Sequence, residues 1–287
     1  MDHTMNHSSD ATSITQAQAD DAAAAAAQFW PEFGRRWPWT RQQSLAPVYK
    51  VIGETTVALL RAFPAIQRSN QARWYRRALR DTPAIYALFP EEFTAQARAF
   101  LRGSDPKELE GKQAVSFIYL VTPDDDGPDV AKTLLASSAT NAPYYRMQLA
   151  HELLNCFCHT EWDRRVLRSG LRRANWGAGA MMQQGGALND LLIDTLLLDF
   201  LPRTTDYTKQ SLTEGMLGPY WQIVDLYAQR LAGLPVQDVL FGRDSASIST
   251  FGQALAESFH MPNAAAELER LLARHDWQGL RALVTPP

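Results

Sequence analysis

The sequence predicts an α-rich α+β fold, with a small sheet in its first half and a helical C-terminal lobe. Three observations carry that prediction. Apolar residues recur at helical spacing through most of the chain. One segment, "KQAVSFIYLVTP" (112–123), has instead the β-branched and aromatic run of a strand, closed by the turn residues "PDDDGP". The most apolar stretch, "LLIDTLLLDFL" (191–201), is too short to span a bilayer and carries Asp194 and Asp199, so it reads as a buried helix.

In chain order, residues 1–20 are polar and are expected to be disordered. The alanine run that follows Asp20 and Asp21 is a helix favoured by capping and dipole and ended by Pro31. A connector bearing Trp37 and Trp39 leads to helices over 48–62 and 65–81. A Pro-capped turn then precedes an amphipathic helix ending at Gly103. Beyond the strand the chain reads as helical: "PDVAKTLLASSA", the long helix or helix pair "PYYRMQLAHELLNCFCHTEWDRRVLRSG", "GGALNDLLIDTLLLDFLP" stopped by Pro202, and further helices to the end. "NWGAGAMMQQGG" supplies a turn between the two long helices. The expected divisions are a disordered 1–20, a helical 21–110, a core of 111–201 and a helical lobe of 202–287.

Composition narrows the function. The 287 residues are 46% hydrophobic and 21% charged, enough for a sizeable core. A net charge of −3 gives no global case for nucleic acid. The arginine clusters "RWYRRALR" (73–80) and "RRVLRSGLRR" (164–173) read, at helical spacing, as solvated faces or as partners of nearby acids, ahead of phosphate binding. Cys156 and Cys158 point to different sides of a helix, so they read as small core residues rather than a disulfide. No signal peptide and no membrane span are read, and a cytoplasmic protein is expected. The acidic run at Asp124, Asp125, Asp126 and Asp129 lacks the spacing of a calcium loop and reads as a solvated turn.

The chemistry sits in "AHELLNCFCH" (150–159). Two histidines at i and i+4 of a helix reach one zinc ion, and the glutamate at i+1 takes a proton from the metal-bound water. Here His151 and Glu152 fill the first two places, while Asn155 stands where the second histidine belongs. His159 lies roughly 12 Å along the helix and cannot replace it. It reads as a surface or second-face histidine. Downstream, Gly186, Asn189, Asp190 and Asp194 form a second patterned segment.

Together these two segments resemble the thermolysin-like gluzincins, zinc metallopeptidases of the zincin type. The resemblance covers roughly residues 112–201. It implies Asp190 as the third metal ligand, in place of that family's glutamate, and Asp194 as the carboxylate behind His151. It also implies that the strand lies where an extended substrate pairs. Tyr207 and Tyr220 are candidates for the cleft, with core packing as the other reading. The stripe of Tyr220, Ile223, Val224, Tyr227 and Leu231 reads as core.

An amide oxygen is a weak zinc ligand, and aspartate is one methylene shorter than glutamate. The expectation is a degenerate gluzincin-like protein with no high-affinity metal site. It would bind a peptide or protein in the former cleft, with Asn155 hydrogen-bonded to Asp190 or Asp194. One alternative is an active peptidase using a His151/Asn155/Asp190 site, zinc or another divalent metal, and Glu152 as base. The other is a helical interaction protein unrelated to zincins.

Overall fold

The computed structural model describes residues 42–69, 85–100, 109–121, 129–163, 166–177, 180–215, 217–242 and 245–284. The expected N-terminal disorder, the alanine-run helix, the tryptophan-bearing connector, the first arginine cluster and Asp124–Asp126 lie outside them. Helix α1 (Gln42–Ala62) buries Leu45, Val48, Ile52 and Leu59 and stops ahead of Pro64. Pro64 opens a 3₁₀ turn (Pro64–Arg68).

A three-stranded sheet follows, made of β1 (Ile85–Leu88), β2 (Ala114–Val121) and β3 (Asp129–Ser137), with α2 (Pro90–Phe100) after β1. Strand β3 is central, parallel to β1 and antiparallel to β2. Alternation along the strands sorts the two faces. Val115 and Leu135 pack with Phe93 and Ala97 of α2. Ala114, Leu134 and Ala136 join the main core with α3 (Tyr145–Phe157). The strand expected at 112–123 is therefore β2, and the Pro-capped turn holds β1.

Two expected helices are strands. "PDVAKTLLASSA" forms β3, which is covered on both faces, with Lys132 through Ala136 buried. A strand enclosed in this way has no polar alternation and can be mistaken for a buried helix. The motif helix α3 ends at Phe157. The rest of its expected length and the expected connector form an antiparallel sheet of β4 (Thr160–Asp163), β5 (Val166–Ser169), β6 (Arg172–Gly177) and β7 (Ala180–Gln184), in that order. Ser169 pairs with Arg172, so Gly170 and Leu171 make a two-residue hairpin turn. Gly170 has φ +57°, and a Cβ there would lie 2.5 Å from Asn189 Oδ1. Conformation and close approach both demand glycine.

Helix α4 (Gly186–Thr204) runs past Pro202 before it ends. No side chain of its own first turn caps it. Glu269, on the distant helix α9 (Ala264–Ala273), accepts the Ala187 and Leu188 N–H groups at 3.3 and 2.7 Å. The C-terminal half is helical as expected, with α5 (Lys209–Glu214), α6 (Gly218–Arg230), α7 (Val236–Phe241), α8 (Ser245–Phe259), α9 and α10 (Trp277–Val284). Ile223, Val224, Tyr227 and Leu231 are buried, as their stripe predicts. Among the described residues no helix is long and apolar enough to cross a membrane. The described residues thus form a predominantly helical α+β fold with two small sheets.

Candidate functional site

One turn of α3 separates His151 from Asn155, so both face α4. His151 pairs with Asp194, and Asn155 with Asn189. Partners at lower positions on α4 as the positions rise on α3 make the two helices antiparallel. His151 Nδ1 lies 2.7 Å from Asp194 Oδ1, and its Nε2 lies 3.3 Å from Asp190 Oδ1. With a carboxylate oxygen at each ring nitrogen, the ring satisfies both only as the doubly protonated imidazolium. Burial opposes that charge, but Asp194 and Asp190 together outweigh it and hold the His151 pKa well above the usual imidazole value.

Asp194 is 7% exposed and has a second donor, the Tyr220 hydroxyl at 2.5 Å from Oδ2. Burial first, and then Asp194, push the Tyr220 pKa well above the phenol's ordinary value, so Tyr220 remains a donor. Asp190 lies nearer solvent, and its Oδ1 accepts from Arg172 Nη2 at the start of β6. Burial alone would raise the Asp190 pKa. Arg172, with His151, outweighs burial and holds the carboxyl well below the usual carboxylate range.

Glu152 faces the other way, toward the first sheet. Its Oε2 accepts from Ser116 N at 2.9 Å and from Ser116 Oγ at 2.5 Å. Asn155 is buried and bonds neither aspartate, contrary to the expectation. Its Oδ1 accepts from Asn189 Nδ2 at 3.2 Å, while Asn189 Oδ1 accepts from Leu171 N at 3.0 Å. The second bond requires an oxygen on Asn189, which fixes the amide orientation of the first. The pair therefore ties α3 to α4 and α4 to the hairpin tip whose next residue is Arg172.

No family model, no curated protein and no solved structure matches the chain.

The donor set does not fit a divalent metal. Zinc bonds of roughly 2 Å in tetrahedral geometry place two ligand atoms about 3.3 Å apart. The separation of His151 Nε2 and Asp190 Oδ1 matches that. Among the described residues a third donor is lacking, because the Asn155 oxygen is taken by Asn189. The Asp190 oxygen already carries a fixed guanidinium. A dication about 4 Å from a unit positive charge is repelled by roughly 8 kcal/mol at an effective dielectric near 20, before solvent screening reduces it. Among the described residues no group of three His, Cys, Asp or Glu side chains is placed to hold a metal ion.

Beneath Asn155 lies a group the sequence did not reveal. Lys132 of β3 is 1% exposed, and its ammonium donates to the Asn155 and Cys158 carbonyls, both at 2.8 Å. It thereby caps the C-terminal end of α3, where a cation also meets the negative end of the helix dipole. Burial lowers its pKa to about 8. Cys156 and Cys158 are free and buried, and burial pushes the Cys156 thiol up to about 12. They are inert core residues, as expected.

The remaining candidates divide. Tyr220 is in the cluster. Tyr207 stacks on Tyr144 with ring centroids 6.1 Å apart and hydrogen-bonds that residue's backbone, not a group of the cluster. His159 is buried, not at the surface. Its N–H bonds the Leu240 carbonyl and its Nε2 lies 3.7 Å from Glu161 Oε2, because the chain turns into β4 there instead of continuing as helix. Arg168 and Arg172 lie on strands rather than on a solvated helix face, and each pairs with a nearby acid, the other expected outcome: Arg168 is buried against Glu161 and Arg172 bonds Asp190. The available signal was Gly170 with strand-like residues on either side, a hairpin mark. A cavity lined by Pro64, Arg68, Thr195, Asp199 and Asp238 lies elsewhere and includes none of these groups.

Proposed function

We propose that the chain is a zincin-type protein whose metal site has lapsed, and that it binds an extended peptide or protein segment without cleaving it. The observation that carries this reading is His151 held by Asp194 on one ring nitrogen and approached by Asp190 on the other, across two antiparallel helices. Those are the roles that the resemblance to gluzincins assigns to these three positions. Loss of hydrolysis follows from two departures. Asn155 is committed to Asn189. Glu152, the would-be base, is committed to Ser116 by two hydrogen bonds.

Peptide binding is supported by the position of β2. Among the described residues it is an edge strand, paired only with β3. Ser116 N points away from β3 toward Glu152, so the N–H of Ile118, two residues on, points to the same side. An incoming strand can pair there.

The test uses the full chain and a library of unstructured decapeptides. The library should contain binders, and Ile118→Pro, which removes an outward N–H that an edge strand can spare, should weaken them by at least tenfold. A library with no binders, or binding that Ile118→Pro leaves unchanged, would overturn the proposal. Hydrolysis of the same peptides that Glu152→Gln abolishes would instead establish an active peptidase.

A further inference from the structure

We infer that the guanidinium of Arg172 has taken over the place of the metal as the central cation of this cluster, and that Asn189, which also holds Asn155, fastens the Arg172-bearing hairpin tip there. The inference rests on the zincin-type reading only in naming what was replaced. The arrangement itself is a property of this chain.

The cluster is closed by its own residues. Asp190, the ligand position nearest solvent, gives its Oδ1 to Arg172. The same oxygen lies 3.3 Å from the ring nitrogen that would face a metal. Arg172 therefore neutralises the carboxylate that a dication would otherwise hold. Its Nε is enclosed and, among the described residues, has no hydrogen-bond partner, so this part of the side chain runs through packing while the rest keeps some exposure.

The backbone brings Arg172 there by a defined route. Gly170 and Leu171 turn β5 into β6, Asn189 holds the Leu171 N–H, and Asn189 also holds Asn155. A Cβ at Gly185, the residue before α4, would lie 2.5 Å from the Leu171 carbonyl oxygen, so the tip is pressed onto the start of α4. The residue that removes the second histidine and the residue that supplies the new cation thus belong to one polar chain. Asn155, Asn189 and the Leu171 N–H lead to Arg172, and Arg172 returns to Asp190, the neighbour of Asn189. The two departures from a metal site form a matched pair: restoring a histidine at position 155 leaves the guanidinium still on Asp190.

This has a consequence that a merely decayed site would not share. Asn155→His alone should fail to restore zinc binding, whereas Asn155→His with Arg172→Gln should succeed. The full chain in four forms (wild type, each single variant and the double variant) is titrated with zinc against a chromophoric chelator, with the bound metal counted after dialysis. The expected result is one zinc per chain in the double variant, bound at least 100-fold tighter than in Asn155→His. Wild type should retain none. Zinc held stoichiometrically by wild type, equal affinity in Asn155→His and the double variant, or a folded double variant that binds none would each overturn the inference.

If the double variant does not fold, the ¹⁵N spectrum of wild type decides. The Arg172 Nε–H, shielded from water, should give a slowly exchanging signal that is lost in Arg172→Lys and unmoved by added zinc. A fast-exchanging signal, or one that zinc shifts, sinks the assignment. None of these measurements involves a peptide, so failure here is separable from failure of the binding proposal.

Discussion

The two ends of the α3–α4 contact hold polar groups by different means. At the His151 end charge is set against charge. His151, Asp190 and Arg172 keep 20%, 36% and 31% of their side-chain surface, and only Asp194, at 7%, is sealed. At the Asn155 end Asn155 and Asn189 are both buried, and the side-chain contact between the helices is a neutral amide pair. Lys132, which lies beneath that contact, faces backbone carbonyls rather than a carboxylate. Ionised groups predominate where water still reaches part of the cluster, and Lys132, the buried exception, has its pKa lowered by that burial. Where water does not reach, desolvating a charge costs more than most partners return, and neutral amides are the cheaper way to satisfy a helix contact.

The largest test of that contrast is Asp194→Ala. It removes the sealed carboxylate that two donors share, leaving a cationic imidazole with one partner and a Tyr220 hydroxyl with none. Breaking one side of a buried pair costs roughly 3–4 kcal/mol, which lowers the melting temperature by about 10 °C in a chain of this size. Calorimetry checks it. A loss under about 1 kcal/mol would mean that the His151 end is held by packing and not by charge.

A smaller effect distinguishes the other end by its pH dependence. The folded Lys132 has its pKa lowered to about 8 from 10.5. Between those values the unfolded chain holds a proton that the folded chain has released. Stability therefore rises with pH across that window, by up to a few kcal/mol from this residue, and the contribution is flat below it. Denaturant midpoints of wild type and Lys132→Met, taken from pH 7.5 to 10.5, should diverge in favour of wild type as the pH rises. Parallel curves would show that the ammonium pays no burial penalty in the folded state.

The two ends also differed in how far the sequence revealed them. His151, Asp190 and Asp194 were readable because helical spacing fixes which residues share a face, and two such faces need only meet. Tyr220 was readable as a candidate, its stripe otherwise being core. Arg172 was not, because its role depends on strand register: a one-residue slip of the β5–β6 hairpin would send its side chain to the opposite face. Reading 164–173 as helix concealed that register. Lys132 was hidden for a different reason. Its partners are backbone carbonyls more than 20 positions away, and carbonyls have no signature in a sequence. The strand that carries it is covered on both faces, and its unbroken run of buried residues lacks the alternation that would have marked it as β.

The smallest effect tests whether the contact depends on where α4 begins. The helix starts from Gly185 at φ +74° with no side-chain cap of its own, and Glu269 of α9 reaches across to two of its first N–H groups. A carboxylate there satisfies donors that the first turn leaves open and meets the positive end of the helix dipole. Glu269→Ala should cost about 1 kcal/mol, the usual value of an N-cap, and Glu269→Gln, which keeps an acceptor but not the charge, should cost less. The more telling readout is amide exchange. Ala187 and Leu188 lie just ahead of Asn189 and Asp190, so fraying of the first turn should loosen Asn189 and with it the Leu171 N–H. Faster exchange at Leu171 in Glu269→Ala, with exchange near Asp194 unchanged, would place the start of α4 and the hairpin tip in one cooperative unit, separate from the His151 end. Unchanged exchange at Leu171 would mean that packing alone holds the tip and that the remote cap serves only its own helix.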